Sequence, residues 1–327
     1  MAVETTKKTA PRGRWIADFM GRIVAALGPP SAPRRTLQAV TVVLGASVLC
    51  GCAWLDERQR VLALRPSPAR QGQAEASAAS FRPGDLRYFL PANAAAEQVA
   101  VWWLPHSDPH APTLLYLHGT FRNLYQNLPK IEALRKAGFG VLAVDYRGWG
   151  DSSALVPSEA TIGADAALAW SEVQRLQPDA RRRYIFGHSM GGAVAVRLAS
   201  GLRGGQDYAA LVLESTFTRM PDVASATGFW GRIVAAATTL EFDSIARIGR
   251  IDAPLLMLHG SADRTVPVEL GRRLRDAAPA GVRWVEIAGG GHSRLHSDAP
   301  EIYQEALRGF VQNRKSHPAA PTRATSP

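Results

Sequence analysis

The sequence predicts an α/β protein built on a mostly parallel, eight-stranded sheet with helices on both faces. Three observations lead there. Eight short apolar runs recur between Arg87 and Ile287, most of them without polar alternation, and helix-length segments separate most of them. Residues able to carry chemistry stand just past the ends of several runs. Strands that are apolar on both sides need cover on both faces, which is the signature of a parallel sheet sandwiched by helices. In such sheets function gathers at the carboxyl ends of the strands.

Taken in order, Arg87-Tyr88-Phe89-Leu90 and Val99 to Leu104 read as two leading strands. Thr113 to Leu117 is the third, followed by a helix from Leu124 to Ala137, a strand Val141 to Val144 and a helix Ala160 to Leu176. Tyr184-Ile185-Phe186 then runs into Gly187-His188-Ser189-Met190-Gly191 and a helix of small residues. Ala210 to Leu213 is the next strand, and the stretch from about Thr216 to Ile251 is longer and less regular than one crossover helix. With Phe229-Trp230 and Ile233 to Ala237 it reads as a small helical lid, or alternatively as the core of the crossover itself. The strand Leu255 to Leu258, a helix Val268 to Ala277, the strand Trp284 to Ile287 and a helix Pro300 to Val311 complete the set.

The chain has 327 residues, 46% hydrophobic and 20% charged, enough to bury one large core. Its net charge of +10 is concentrated: Lys7, Lys8, Arg12, Arg14, Arg22, Arg34 and Arg35, against Glu4 and Asp18, put half of it ahead of Cys52. The remaining charge, spread over the body, is too dilute for a nucleic-acid footprint. Arg34-Arg35 precede an uncharged run from Thr36 to Gly51, short for a membrane span and suited to a signal-peptide core. Leu49-Cys50-Gly51-Cys52 resembles a bacterial lipobox, which implies lipidation and cleavage at Cys52 and a membrane-anchored protein of the cell envelope, facing the periplasm. An uncleaved signal anchor is the alternative.

Residues 1–52 therefore read as leader, 53–82 as a flexible tether rich in Pro, Ala, Ser and Gln, 83–313 as the folded domain with its lid at about 216–251, and 314–327 as a disordered tail. Both cysteines fall in the leader, so the body has no disulfide framework and no thiolate metal site.

A serine between two glycines, after a strand and before a helix, is the sequence form of a nucleophile elbow. Asp263 follows the strand ending at Leu258, and His292 follows Gly289-Gly290-Gly291 after the strand ending at Ile287. A serine hydroxyl needs a base to attack at neutral pH; His292 supplies it, and Asp263 orients the imidazole. His118, His259 and His296 compete for the base, and Asp243 and Asp252 for the acid. Asn123 reads as a helix cap, and Asp145 and Arg147 as anchors of the loop behind their strand.

From about Leu86 to Phe310 the chain resembles the α/β-hydrolase superfamily, in particular its serine hydrolases with a small lid. The resemblance rests on Leu117-His118-Gly119-Thr120-Phe121-Arg122-Asn123, Asp145-Tyr146-Arg147-Gly148-Trp149-Gly150, the elbow, His259-Gly260-Ser261-Ala262-Asp263 and Gly291-His292. It implies the α/β-hydrolase fold, an acyl-enzyme on Ser189, and an oxyanion hole from the backbone N–H groups of Met190 and Thr120, with Met190 and Phe121 toward the acyl side. No metal or organic cofactor is implied. The expected substrate is a small-molecule carboxylic ester or thioester; amide or peptide cleavage, and a non-catalytic membrane-tethered lipoprotein, are the other readings.

Overall fold

The computed structural model describes residues 51–93 and 96–316. It divides into two compact units, Met1–Arg58 and Gln59–Pro327. The described part of the first, residues 51–58, is helical, with Cys52 a free, exposed thiol. The rest of the leader, including Arg34-Arg35 and Cys50, and the tail after Ser316 lie outside the described residues. Among the described residues no helix is long and apolar enough to cross a membrane.

The second unit carries the sheet. After helical residues 59–64 come α1 (Gln73–Ser77), β1 (Leu86–Pro91), β2 (Gln98–Leu104), β3 (Thr113–Leu117), α2 (Leu124–Lys136), β4 (Gly140–Val144) and α3 (Glu159–Leu176). Then follow β5 (Arg183–His188), α4 (Met190–Ala199), β6 (Ala210–Glu214), α5 (Met220–Ser225), α6 (Phe229–Ala237), α7 (Ile245–Ile248) and β7 (Leu255–Gly260). The chain closes with α8 (Val268–Asp276), β8 (Arg283–Ile287), α9 (Leu295–Asp298) and α10 (Pro300–Ser316). The eight strands lie in the order β1-β2-β4-β3-β5-β6-β7-β8. Only the β1·β2 and β2·β4 pairings are antiparallel.

Strand periodicity divides the core in two. Leu115, Leu117, Leu142, Val144, Ile185, Leu211 and Leu213 point to one face and meet Ile162, Ala166, Trp170 and Val173 of α3 and Ala193 and Val196 of α4. Leu114, Tyr116, Val141, Ala143, Phe186, Val212 and Leu256 point to the other, against Ile131 and Leu134 of α2 and Tyr303, Leu307 and Phe310 of α10. Each of the Leu, Ile, Val and Phe side chains among them contributes about 1.5–3 kcal/mol on burial. Two-sided burial explains why β3 to β7 show continuous apolar runs.

Two boundaries differ from the sequence reading. Residues 53–82 are not a free tether. Residues 59–64 are helical, Leu64 is fully buried, and Pro68 bridges to Gly150, with Ala69 donating to the Gly150 carbonyl and Gly150 to that of Ser67. The segment is ordered by partners eighty residues away, which composition cannot reveal. The last helix likewise runs on to Ser316, past the expected end at Val311.

The segment 216–251 folds as three short helices. Phe229 and Trp230 of α6 stack edge to face with centroids 5.4 Å apart and are 69% and 76% exposed. They are therefore not the core of a crossover helix.

Candidate active site

Ser189 stands between β5 and α4 at φ 56°, ψ −123°. A non-glycine residue is strained there and persists only where its surroundings hold it. The hold comes from close packing: a Cβ on Gly191 would lie 2.1 Å from the Leu117 carbonyl oxygen, and one on Gly187 would lie 2.3 Å from that of Gly191. The Ser189 N–H donates to Glu214 O at 2.9 Å and its carbonyl accepts from the Thr216 hydroxyl at 2.9 Å, which pins the turn from β6.

The loops after β7 and β8 bring two more groups to this turn. His292 Nε2 lies 2.9 Å from Ser189 Oγ, and His292 Nδ1 lies 2.7 Å from Asp263 Oδ2. The other carboxylate oxygen accepts the backbone N–H groups of Thr265 and Val266 at 2.9 and 2.8 Å. Burial pushes the Asp263 carboxyl up, but the nearby His259 and His292 imidazoles and the Val266 N–H outweigh it and hold the group well below the usual carboxylate range. Asp263 is thus an anion at every working pH, and His292 Nδ1 is the protonated nitrogen facing it. All three side chains are nearly buried, Ser189 and Asp263 at 7% exposure and His292 at 9%.

Comparison with known proteins agrees with this architecture. The family described as serine aminopeptidase, S33, matches residues 108–242. The Mycobacterium tuberculosis protein Rv2307c is 32% identical over 282 residues, which cover 85% of this chain and 95% of that protein. The chain belongs to one family with Rv2307c, and its fold is the α/β-hydrolase fold. Lysophosphatidylserine lipase ABHD12 of Danio rerio is 34% identical over 195 residues, covering 55% of this chain; the match spans half of that relative's length. The Pyrococcus furiosus esterase Pf2001 superposes with a TM-score of 0.59 at 20% identity, over 76% of this chain and 96% of the esterase.

Other groups of this α/β-hydrolase are occupied elsewhere. His118 Nδ1 lies 2.6 Å from the Gly119 carbonyl, and its Nε2 lies 3.3 Å from Asp145. His259 Nε2–H donates to the Val266 carbonyl at 2.9 Å. Asp243 accepts from the Ala246 N–H, and Asp252 from that of Gly204. Asp145 accepts the Leu124 N–H at 3.0 Å, and Arg147 pairs with Asp165 and Glu97, so both anchor their loop. Asn123 caps α2 in a capping box with Gln126.

The loop after β3 reaches the nucleophile. A Cβ on Gly119 would come within 2.9 Å of Ser189 Cβ, so the backbone leading into Thr120 passes directly beside the serine. Phe121, at φ 51°, has the guanidinium groups of Arg65 and Arg122 over its ring at 5.7 and 6.0 Å.

One feature of the site is not apparent from motifs. Lys130 of α2 and Glu214, at the end of β6, form a buried ion pair beside the elbow, and Tyr303 of α10 donates to Glu214 at 2.8 Å. His188 packs next to this pair, with Nε2 3.9 Å from Glu214, and donates to the His292 carbonyl at 3.0 Å. Apolar spacing marks Lys130 and Tyr303 as neither partners nor buried, since the lysine sits on a helix of mixed character and the tyrosine nearly a hundred residues beyond Glu214.

Proposed function

We propose that the chain is a serine hydrolase that cleaves a carboxylic ester or thioester through an acyl-enzyme on Ser189. The observation that carries this reading is the unbroken run of contacts from Asp263 Oδ2 through His292 to Ser189 Oγ, at 2.7 and 2.9 Å, on a serine held at positive φ. As the hydroxyl attacks the acyl carbonyl, its proton passes to His292 Nε2, and the imidazolium is stabilised by the Asp263 carboxylate. The protonated Nε2 then gives that proton to the leaving group, and water activated by the same nitrogen releases the acid.

The negative charge that develops on the carbonyl oxygen falls to the backbone N–H groups of Met190, at the start of α4, and Thr120, on the loop against Ser189. A donor in that role contributes about 3 kcal/mol to the transition state. The ester-cleaving names of a relative and a structural neighbour, lysophosphatidylserine lipase and esterase, favour ester over amide. The family description as serine aminopeptidase supports the second reading, amide or peptide cleavage at the same serine.

Fluorophosphonate labelling of intact protein, with Ser189→Ala as control, together with an ester panel of graded chain length and a set of aminoacyl amides, tests both. Labelling that survives Ser189→Ala would sink the acyl-enzyme. Amide turnover in the absence of ester turnover would select the second reading. Lipidation at Cys52 and anchoring at the periplasmic side of the envelope remain part of the proposal; a palmitate analogue is expected to label the wild type and not Cys52→Ala.

A further inference from the structure

Between α2 and the segment that follows His292 lies a cavity of about 270 Å³. Arg122, Lys130 and Arg294 line it together with His296, Ser293 and Ser297, and no carboxylate does. The Ser297 hydroxyl already donates to the Arg294 carbonyl at 3.0 Å. Concentrated positive charge beside the Ser293 hydroxyl, in a volume below that of a drug-sized pocket, is the scale and chemistry of a single oxyanion-bearing headgroup.

The charge is only partly answered by the protein. Lys130 is matched by Glu214 beneath it, and Arg294, largely exposed, lies 3.5 Å from Asp298. Arg122 forms no ion pair among the described residues; its guanidinium lies 6.0 Å from the Phe121 ring and close enough to Lys130 for the two like charges to repel. His296 adds a neutral imidazole. Burial, then the Lys130 charge, pushes it down to about 4, and its buried Nδ1 has no hydrogen-bond partner among the described residues.

Position ties the cavity to the reaction. Ser293 and Arg294 directly follow His292, and His188, whose ring is centred 5.1 Å from that of His292, lies beside the Lys130–Glu214 pair. The base returns its proton to the leaving group, so the leaving alcohol sits on the His292 side. We infer that this cavity is an anion subsite that takes a phosphate carried on the leaving alcohol of the ester, with Arg122 as its principal contact and Arg294 at its rim. The inference rests on the ester-hydrolase reading above for its direction, and on the cavity alone for its chemistry.

Two measurements on the full chain separate these. Calorimetric titration of glycerol 3-phosphate and of inorganic phosphate onto wild type, Arg122→Gln and Arg294→Gln reads the subsite without turnover. Glycerol 3-phosphate is expected to bind the wild type, and Arg122→Gln to weaken it by about tenfold to a hundredfold, the worth of one charged hydrogen bond. Inorganic phosphate binding as tightly as glycerol 3-phosphate would assign the site to free phosphate and overturn the ester-borne group. Absence of binding by either overturns the subsite.

The second measurement is the ratio of kcat/KM for a 1-acyl glycerol 3-phosphate over the 1-acyl glycerol of the same chain length. The ratio is expected to exceed about ten in the wild type, to fall toward one in Arg122→Gln and to fall less in Arg294→Gln. A wild-type ratio near one, or a ratio unmoved by Arg122→Gln, overturns the proposal while leaving the ester-hydrolase reading intact. If neither ester is cleaved but glycerol 3-phosphate still binds through Arg122, the ester reading fails and the leaving-alcohol assignment with it.

Discussion

His188 Nε2–H donates to the backbone carbonyl of His292 at 3.0 Å, so the residue before the proposed nucleophile fixes the loop that carries the proposed base. Strand alternation turns the His188 side chain away from Ser189 and toward the α2 and α10 face, where its partner is reached. Donation from Nε2 leaves Nδ1 as the bare nitrogen, and burial, with the Lys130 charge next, keeps the ring neutral. Removing one such hydrogen bond costs about 1 kcal/mol. His188→Ala is therefore expected to lower kcat about fivefold to tenfold on a short p-nitrophenyl ester with KM little changed. A loss confined to KM would show that His188 does not position His292.

Asp263→Asn removes the charge that faces His292 Nδ1 and offers an amide donor in its place, favouring the wrong imidazole tautomer. Turnover is expected to fall on the order of 10⁴-fold, while fluorophosphonate labelling slows and does not vanish. Wild-type turnover in Asp263→Asn would move the acid to another residue.

The Lys130–Glu214 pair is buried, so breaking it from one side strands a charge. Lys130→Met alone is expected to cost about 3–5 kcal/mol in urea unfolding, and Lys130→Met with Glu214→Gln to recover much of that loss. Additive losses in the double variant would mean that the two side chains are not coupled. Tyr303→Phe, which deletes only the 2.8 Å bond to Glu214, is expected to cost less than Lys130→Met.

The pH dependence of stability has a predictable sign. His296 binds a proton at about 4 in the folded protein but near its ordinary value, about 6.5, when unfolded. Between those values the unfolded chain holds more protons, so stability is full above about pH 6.5 and falls as the pH drops toward 4. His188, pushed well below its ordinary value, acts in the same direction. His296→Gln is expected to shrink the drop in urea midpoint between pH 7 and pH 5; an identical drop in both proteins would show that His296 does not contribute.

The eight strands and the long helices were readable because they carry their own signal: two-sided apolar runs for β3 to β7, and a capping residue, Asn123, ahead of α2. The tether reading of 53–82 failed for the opposite reason. Leu64, Pro68 and Ala69 are ordered by Gly150 and other partners remote in sequence, and a Pro- and Ala-rich composition carries no trace of such pairings.

The same division holds for the site. Sequence by itself determined which residues are candidates, because glycines around Ser189, the Asp263 turn and the glycine run before His292 are local patterns imposed by local geometry. Only the tertiary structure decided which candidates meet. Distances of 2.7 and 2.9 Å line Asp263 and His292 up with Ser189, whereas the polar atoms of Asp243, Asp252, His118 and His296 face other partners or cavities, and His259 donates to Val266 while lying 3.5 Å from Asp263. It also decided what surrounds them: the Lys130–Glu214 pair, the His188 tie and the cationic cavity all join segments far apart in the chain. Contacts of that kind arise when the sheet stacks its strand ends side by side, and no periodicity within a segment encodes them.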